Sequence, residues 1–204
     1  MISARPFLSK PAPTIAISER LGATPDGEGR TRFLLWAPHA DQCEVHLVHP
    51  EERHIEMARL EDGYFGAIVD NCDAGARYFF QLNGQSEHPG PTSRYQPYGV
   101  HGPSEVTARR SPGLTAWHTP KLADYIIYEL HIGTFTSEGT FNAAVSHLDP
   151  LKELGITAIE IMPVAEFPGS RNWGYDGVYP FAVQNSYGGP EALKRLVNAA
   201  HEKG

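Results

Sequence analysis

The amino-acid sequence predicts a multi-domain chain, in which an antiparallel β-sandwich precedes two βα units of a parallel sheet. If the completed fold is a (β/α)8 barrel, the chain is truncated after the first two of its βα units. Short β-rich runs separated by turn residues occupy 31–82, as is typical of a sandwich. From residue 125 onward, buried strands alternate with helical patterns, which indicates a parallel sheet. A stretch rich in Pro, Gly and Ser at 88–120 separates these two patterns.

Four β-rich runs predict the strands of the sandwich, and turn residues such as Pro50 and Asn83-Gly84 lie between them. The charged segment 51–54 is expected to be a solvated turn. The predicted strands are 31–37, 43–48, 64–69 and 76–82.

The stretch 88–120 has little periodicity but contains rings that can anchor it to protein, at Tyr95, Tyr98 and Trp117. We therefore expect an extended connection that lies on the folded domains, with a domain boundary near residue 110. Residues 1–110 would form the sandwich with its connection, and residues 111–204 the start of the barrel.

The second half of the chain reads as a right-handed parallel βαβα unit. Its expected elements are a strand at 125–132, a helix opening at Thr140, a short helix with Asp149 as N-cap and Pro150 in its first position, a strand at 157–164 buried on both faces, and a helix beginning at Pro190. Two parallel strands do not make a stable sheet, so we expect a third strand directly after Gly204 and a longer parent protein.

An aromatic loop, residues 172–179, lies between the second barrel strand and the last helix. Its glycines exclude a regular helix or strand, yet it contains Trp173, Tyr175 and Tyr179 beside Asp176. Flat rings can stack on a sugar while a carboxylate bonds its hydroxyls, and ligands bind at this end of barrel strands. Alternatively, the rings pin the loop to the core.

Composition excludes several classes of partner. With 24 acidic and 17 basic residues the net charge is −7, which argues against a nucleic-acid partner or an anionic membrane. No apolar run is long enough to span a membrane, and no signal peptide is visible. Two cysteines are no disulfide framework, so a cytoplasmic location is expected. His46 and His49 lie on opposite faces of a strand, so neither a metal site nor a cofactor is expected.

Some polar residues inside the α/β part allow two interpretations. Glu129, His131 and Glu160 lie in strands and favour a hydrogen-bonded polar layer over a general-acid role. Glu166 either bonds a sugar or caps a turn, and the sequence does not decide between these roles.

Three segments resemble the opening of the catalytic barrel of the α-amylase family: 128–136, 155–164 and 172–179. Within this family, segments 91–104, 166–176 and 185–190 are most similar to members that release trehalose from malto-oligosyl trehalose. The N-terminal part looks like the immunoglobulin-like, isoamylase-type sandwich related to glycan-binding modules.

The resemblance implies a retaining glycoside hydrolase whose partner is an α-glucan oligosaccharide with a trehalose end. It places the nucleophilic Asp, the acid/base Glu and a third Asp beyond Gly204, so residues 1–204 are expected to be inactive. Tyr175 matches the aromatic residue that stacks under the sugar, and Trp173 and Asp176 flank it as further substrate-binding candidates. The alternatives are a 1,4-α-glucan branching enzyme and a non-catalytic glycan-binding fragment.

Overall fold

The structure is a computed structural model that describes residues 21–108 and 120–204. The strands are β1 (Gly22–Pro25), β2 (Arg30–Trp36), β3 (Cys43–His49), β4 (Arg53–Glu56), β5 (Ala58–Arg59), β6 (Tyr64–Asp70), β7 (Arg77–Leu82), β8 (Glu87–His88), β9 (Ser104–Glu105), β10 (Ile127–Leu130), β11 (Ala158–Ile161), β12 (Ala165–Glu166) and β13 (Tyr179–Val183). The α-helices are α1 (Ile132–Phe135), α2 (Phe141–Val145), α3 (Leu148–Glu153) and α4 (Gly189–Glu202). Short 3₁₀ turns occupy Glu61–Gly63, Leu122–Asp124 and Asn185–Tyr187.

The N-terminal part is the predicted antiparallel sandwich. One sheet has the order β1-β2-β6-β5, and the other has the order β4-β3-β7-β8, with β9 also paired to β7. Alternate side chains of β3, namely Cys43, Val45 and Leu47, enter the core between the sheets. Phe33 is fully buried there, with its ring edge-to-face to Tyr78 at a centroid distance of 4.9 Å.

The sandwich extends beyond its last predicted strand, because part of the connection completes it. Strand β9 pairs with Arg77 and Tyr78 of β7. Val106 follows β9, is buried in the sandwich core, and exchanges backbone hydrogen bonds of 2.8 Å with Gly75 and Ala76. The anchor Trp117 and the boundary predicted near residue 110 lie outside the described residues.

The charged segment 51–54 is not only a turn. Arg53 and His54 begin β4, which pairs in antiparallel register with β3 and forms the edge of its sheet. Charged side chains suit an edge strand, since they discourage pairing with other chains. For the same reason the strand lacks the hydrophobic residues by which a strand is predicted from sequence.

The α/β part contains the predicted parallel pair, β10 and β11. Helix α2 begins after Thr140, whose hydroxyl accepts a hydrogen bond of 3.2 Å from the Ala143 N–H. The predicted start of the next helix is wrong by two residues: α3 begins at Leu148, so Asp149 and Pro150 lie inside its first turn. Pro150 is tolerated there because the first N–H groups of a helix have no partner within the helix.

Only one face of the β10–β11 sheet is covered by the described residues. Tyr128, Leu130 and Ile159 pack with the residues of the helices, whereas Ile127 and Glu129 are exposed. The prediction that β11 is buried on both faces is therefore wrong for this structure, because the helices cover one side. Glu160 is aligned with Glu129 in the parallel register and is also exposed, so the expected polar layer stays a prediction.

We expect a shortened chain that ends at residue 108 to unfold in one cooperative transition, because the core residues of the sandwich lie within 23–106. A chain that ends at residue 92 should melt at lower temperature and less cooperatively, since it lacks β9 and Val106. Thermal unfolding followed by circular dichroism would compare the two. Equal melting curves would contradict a structural role for β9.

Candidate functional site

The aromatic loop emerges from an antiparallel hairpin that the sequence analysis missed. Strand β12 pairs with β13, and residues 167–178 connect them. The apolar residues of 179–183 were a signal for β13, but its partner β12 has only two residues and the pairing is irregular. Both ends of the loop are thus held by paired strands. The sequence had instead predicted that the loop joins a strand to a helix.

Two buried polar side chains hold that base. The side-chain carbonyl of Gln184 accepts a 2.8 Å hydrogen bond from the Phe167 N–H, and its amide donates to the Gly169 carbonyl at 3.0 Å. The carboxyl group of Glu166 accepts from the backbone N–H and the side-chain amide of Asn185, at 2.7 and 3.0 Å.

These contacts decide between the two interpretations of Glu166. The residue is fully buried, so it does not reach a sugar, and it fixes the 3₁₀ turn that leads into α4. Burial raises the pKa of Glu166 to about 7, although the hydrogen bond from the Asn185 backbone acts in the opposite direction.

The backbone of the aromatic loop is held by Asn172. Its side-chain oxygen accepts a 2.7 Å hydrogen bond from the Gly174 N–H, and its amide donates to the Asp176 carboxylate at 2.9 Å. Gly174 adopts a left-handed φ of +98°, and a Cβ there would overlap the Pro163 carbonyl oxygen. Only glycine therefore fits this path without rearrangement.

His131 supports the loop from below. Its Nε2 lies 2.7 Å from the Asn172 carbonyl oxygen, and the Thr134 hydroxyl lies 3.3 Å from Nδ1, which is consistent with a proton on Nε2. The ring also packs edge-to-face on Tyr187 at a centroid distance of 6.0 Å. The sequence placed His131 within a strand, as part of a polar layer. In the structure, His131 directly follows β10 and contacts the aromatic loop.

The three rings of the loop have different environments. Tyr179 is buried and donates a 3.0 Å hydrogen bond to the Val100 carbonyl, which joins the loop to the connection from the sandwich. Trp173 and Tyr175 are 80% and 69% exposed, and Asp176 is exposed beside them. The interpretation that aromatic rings pin the loop therefore holds for Tyr179 alone. The structure brings together the three predicted substrate-binding residues on one exposed loop.

Comparison with known protein families covers nearly the whole chain. Residues 20–99 match carbohydrate-binding module 48, described as the isoamylase N-terminal domain, and residues 100–204 match the alpha amylase catalytic domain. The chain belongs to the α-amylase family. The expected fold, with a sandwich followed by the start of the catalytic barrel, is confirmed by these matches and by the structural comparison below.

Two individual relatives and one solved structure are similar to this chain over most of its length. Malto-oligosyltrehalose trehalohydrolase of Saccharolobus solfataricus is 52% identical over 88% of this chain and 32% of its own length. The 1,4-alpha-glucan branching enzyme GlgB of Vibrio cholerae is 32% identical over 85% of this chain and 26% of its own length. A crystal structure of a putative alpha amylase from Salmonella typhimurium superposes with a TM-score of 0.84 at 39% identity, over 90% of this chain and 31% of that one. The chain thus spans about a third of the length of its trehalohydrolase relative.

Within residues 21–108 and 120–204, no helix has the length and apolar character that crossing a membrane requires. Both cysteines, Cys43 and Cys72, are free thiols buried in the sandwich core.

We expect Glu166→Gln to change how stability depends on pH. The folded-state pKa of about 7 lies above the ordinary value of 4.5, so the folded state binds more protons between these two values. The contribution of Glu166 to stability is therefore fully present below about pH 4.5 and is lost as the pH rises toward 7, by an amount on the order of 3 kcal/mol. The free energy of unfolding, measured from pH 5 to 8, should fall less steeply in the Gln variant.

Glu153→Gln is the matched control, since Glu153 is an exposed carboxylate on α3. It should leave the pH dependence of the wild-type chain unchanged. Parallel curves for wild type and Glu166→Gln would show that Glu166 ionises normally in the folded protein.

Gly174→Ala should disturb the aromatic loop by steric overlap as well as by backbone strain. Gly169→Ala provides the control, because Gly169 also has a left-handed φ, +80°, but a Cβ there meets open space. We expect the control to lower the free energy of unfolding by about 1–2 kcal/mol, from backbone conformation alone. Gly174→Ala should lower it by more and should accelerate amide exchange across 172–178. Equal losses in both variants would contradict the close approach to Pro163.

Proposed function

We propose that this chain is the N-terminal part of a glycoside hydrolase that acts on α-1,4-glucans and releases trehalose from malto-oligosyl trehalose with retention of configuration. The observation that carries the proposal is the 52% identity to a trehalohydrolase over 88% of this chain. The branching enzyme is more distant, at 32% identity, and branching is the second candidate activity.

A retaining hydrolase needs two carboxyl groups about 5 Å apart, one as nucleophile and one as acid/base. In our proposal these groups are supplied by sequence that follows Gly204, so residues 1–204 contribute substrate binding rather than bond cleavage. Glu166 does not serve as the acid/base, because it is enclosed and bonded to Asn185.

The aromatic loop supports a role in holding the sugar. Tyr175 and Trp173 present exposed rings that can stack on the apolar face of a pyranose. Asp176, oriented by Asn172, offers a carboxylate oxygen that can accept hydrogen bonds from sugar hydroxyls. Since Asn172, Gly174 and His131 fix the backbone, little conformational entropy is lost when the substrate binds.

A sandwich that binds glycan by itself has weaker support. Carbohydrate recognition by a flat sheet face would use several exposed rings, and in residues 21–108 the exposed aromatic side chains of this kind are Trp36 and Tyr98. Trp36 lies at the end of β2 and donates from its indole to the Asp62 carbonyl at 3.1 Å, whereas Tyr98 lies beside Arg77 of the other sheet. The two rings do not share one sheet.

We further propose that the protein acts in the cytoplasm, where its two free cysteines remain reduced. Its partner is the oligosaccharide substrate, and neither a nucleic acid nor a membrane is part of the proposed activity.

The proposed function is tested with the longer enzyme and its Tyr175 variants. A ring stack contributes roughly 0.5–1.5 kcal/mol beyond area burial, and orientation of the reacting sugar adds to it. We expect Tyr175→Ala to lower kcat/KM for trehalose release on the order of ten- to a hundredfold, at about 1.4 kcal/mol per tenfold. Tyr175→Phe should lose less, because its ring face remains.

Residues 1–204 alone serve as the negative control and should release no trehalose. An Ala variant with lower thermal stability but unchanged kinetic constants would assign Tyr175 to packing instead. If the longer enzyme transfers glucan chains and releases no trehalose, the branching activity replaces the proposed one.

A further inference from the structure

The outer face of the β4-β3-β7-β8 sheet carries a cluster of histidines and carboxylates that the glucan chemistry does not use. His46 on β3 and His54 on β4 are directly opposite in the antiparallel register. Their rings stack at a centroid distance of 4.0 Å with an interplanar angle of 11°. Glu52, in the turn before β4, and Glu87, on β8, complete the cluster around His46.

His46 is held in a defined orientation although it faces away from the sandwich core. Its Nδ1 is 2.5 Å from a carboxylate oxygen of Glu87, so Nδ1 donates a hydrogen bond to Glu87, and Nε2 is the ring nitrogen on the side away from that carboxylate. The residue is only 8% exposed, and its buried Nε2 has no hydrogen-bond partner. A buried ring nitrogen without a hydrogen-bond partner is costly unless something else satisfies it.

The groups that face this nitrogen are further metal ligands. The nearest carboxylate oxygen of Glu52 lies 3.5 Å from Nε2 of His46. One ligand atom from each of His46, Glu52 and His54 can be chosen so that all three lie within 4.8 Å of one another. Glu52 and His54 are both exposed, so their side chains can rotate toward an ion bound at His46.

The distance of 3.5 Å between His46 Nε2 and Glu52 matches the requirements of zinc, whereas the ring of His54, which is stacked in parallel on His46, must rotate before it can bind the same ion. Zn²⁺ binds imidazole nitrogen and carboxylate oxygen at about 2.0–2.2 Å with tetrahedral angles, so two such ligand atoms are about 3.4 Å apart. A carboxylate on the second ring nitrogen of a ligating histidine is the usual support for such a site, and Glu87 occupies that position.

We propose that His46, His54 and Glu52 form a binding site for one Zn²⁺ ion, with Glu87 as a positioning residue and the fourth coordination position open to water. The ion would join β3 to the edge strand β4 and thereby stabilise the sandwich. The sequence analysis compared His46 only with His49, which it placed on the opposite face of the strand. Because 51–54 was expected to be a turn, the partner at His54 was missed.

Equilibrium dialysis of the 204-residue chain against Zn²⁺, with the metal quantified by mass spectrometry, tests the proposal. We expect one bound equivalent and a higher melting temperature that a chelator reverses. His54→Ala and Glu52→Gln should each weaken binding at least tenfold, and Glu87→Gln should weaken it about ten- to a hundredfold through the orientation of His46. His49→Ala is the matched histidine control and should bind zinc as the wild type does.

Co²⁺ substitution gives a readout that does not depend on stability. A tetrahedral site should produce intense visible absorption that is lost in His54→Ala and retained in His49→Ala. The proposal is overturned if no equivalent binds, or if His54→Ala and Glu52→Gln bind zinc like the wild type. In either case the cluster is only a set of ion pairs between histidines and carboxylates.

Discussion

The hydrogen bonds between the buried Glu166 and the half-buried Asn185 connect the elements on which the candidate site depends. Glu166 ends β12, and Asn185 begins the turn that leads into α4, so their two hydrogen bonds close the base of the loop between them. The side-chain amide of Asn185 also donates to the Gln96 carbonyl at 3.1 Å, which ties this base to the connection from the sandwich. Glu166 and Asn185 together therefore join the hairpin, the turn before the last helix and the connection from the sandwich.

The consequence is that Trp173 and Tyr175 are free to contact a ligand. Exposed rings normally tend to collapse onto the nearest apolar surface, because burial of a large side chain is favourable by about 1.5–3 kcal/mol. Here the path of the backbone is set by Asn172, by the overlap that only Gly174 avoids, and by the buried Tyr179. The loop resists collapse through these contacts, so its exposed rings are preorganised rather than disordered.

Much of the fold could be predicted from the sequence, because alternation of side chains reports directly on burial in β2, β3, β6 and β7. Side-chain alternation did not reveal strands that are very short or charged, or contacts between residues far apart in the sequence. Strand β4 has the charged residues of an edge strand, and β12 has two residues. The role of Glu166 could not be decided, since its partner Asn185 is 19 positions away and no periodicity links them. The contacts of His46 could not be predicted for the same reason, because its neighbours Glu52 and Glu87 lie in a turn and in another strand.

The backbone of the aromatic loop is held independently of its exposed rings. The most direct measurement is the amide exchange rate of Gly174, whose N–H donates to Asn172, in the double variant Trp173→Ala/Tyr175→Ala. We predict the same exchange rate as in the wild type, because no ring contributes to that hydrogen bond. Faster exchange in the double variant would show that the rings hold the loop in place, and would contradict their proposed role as substrate-binding groups.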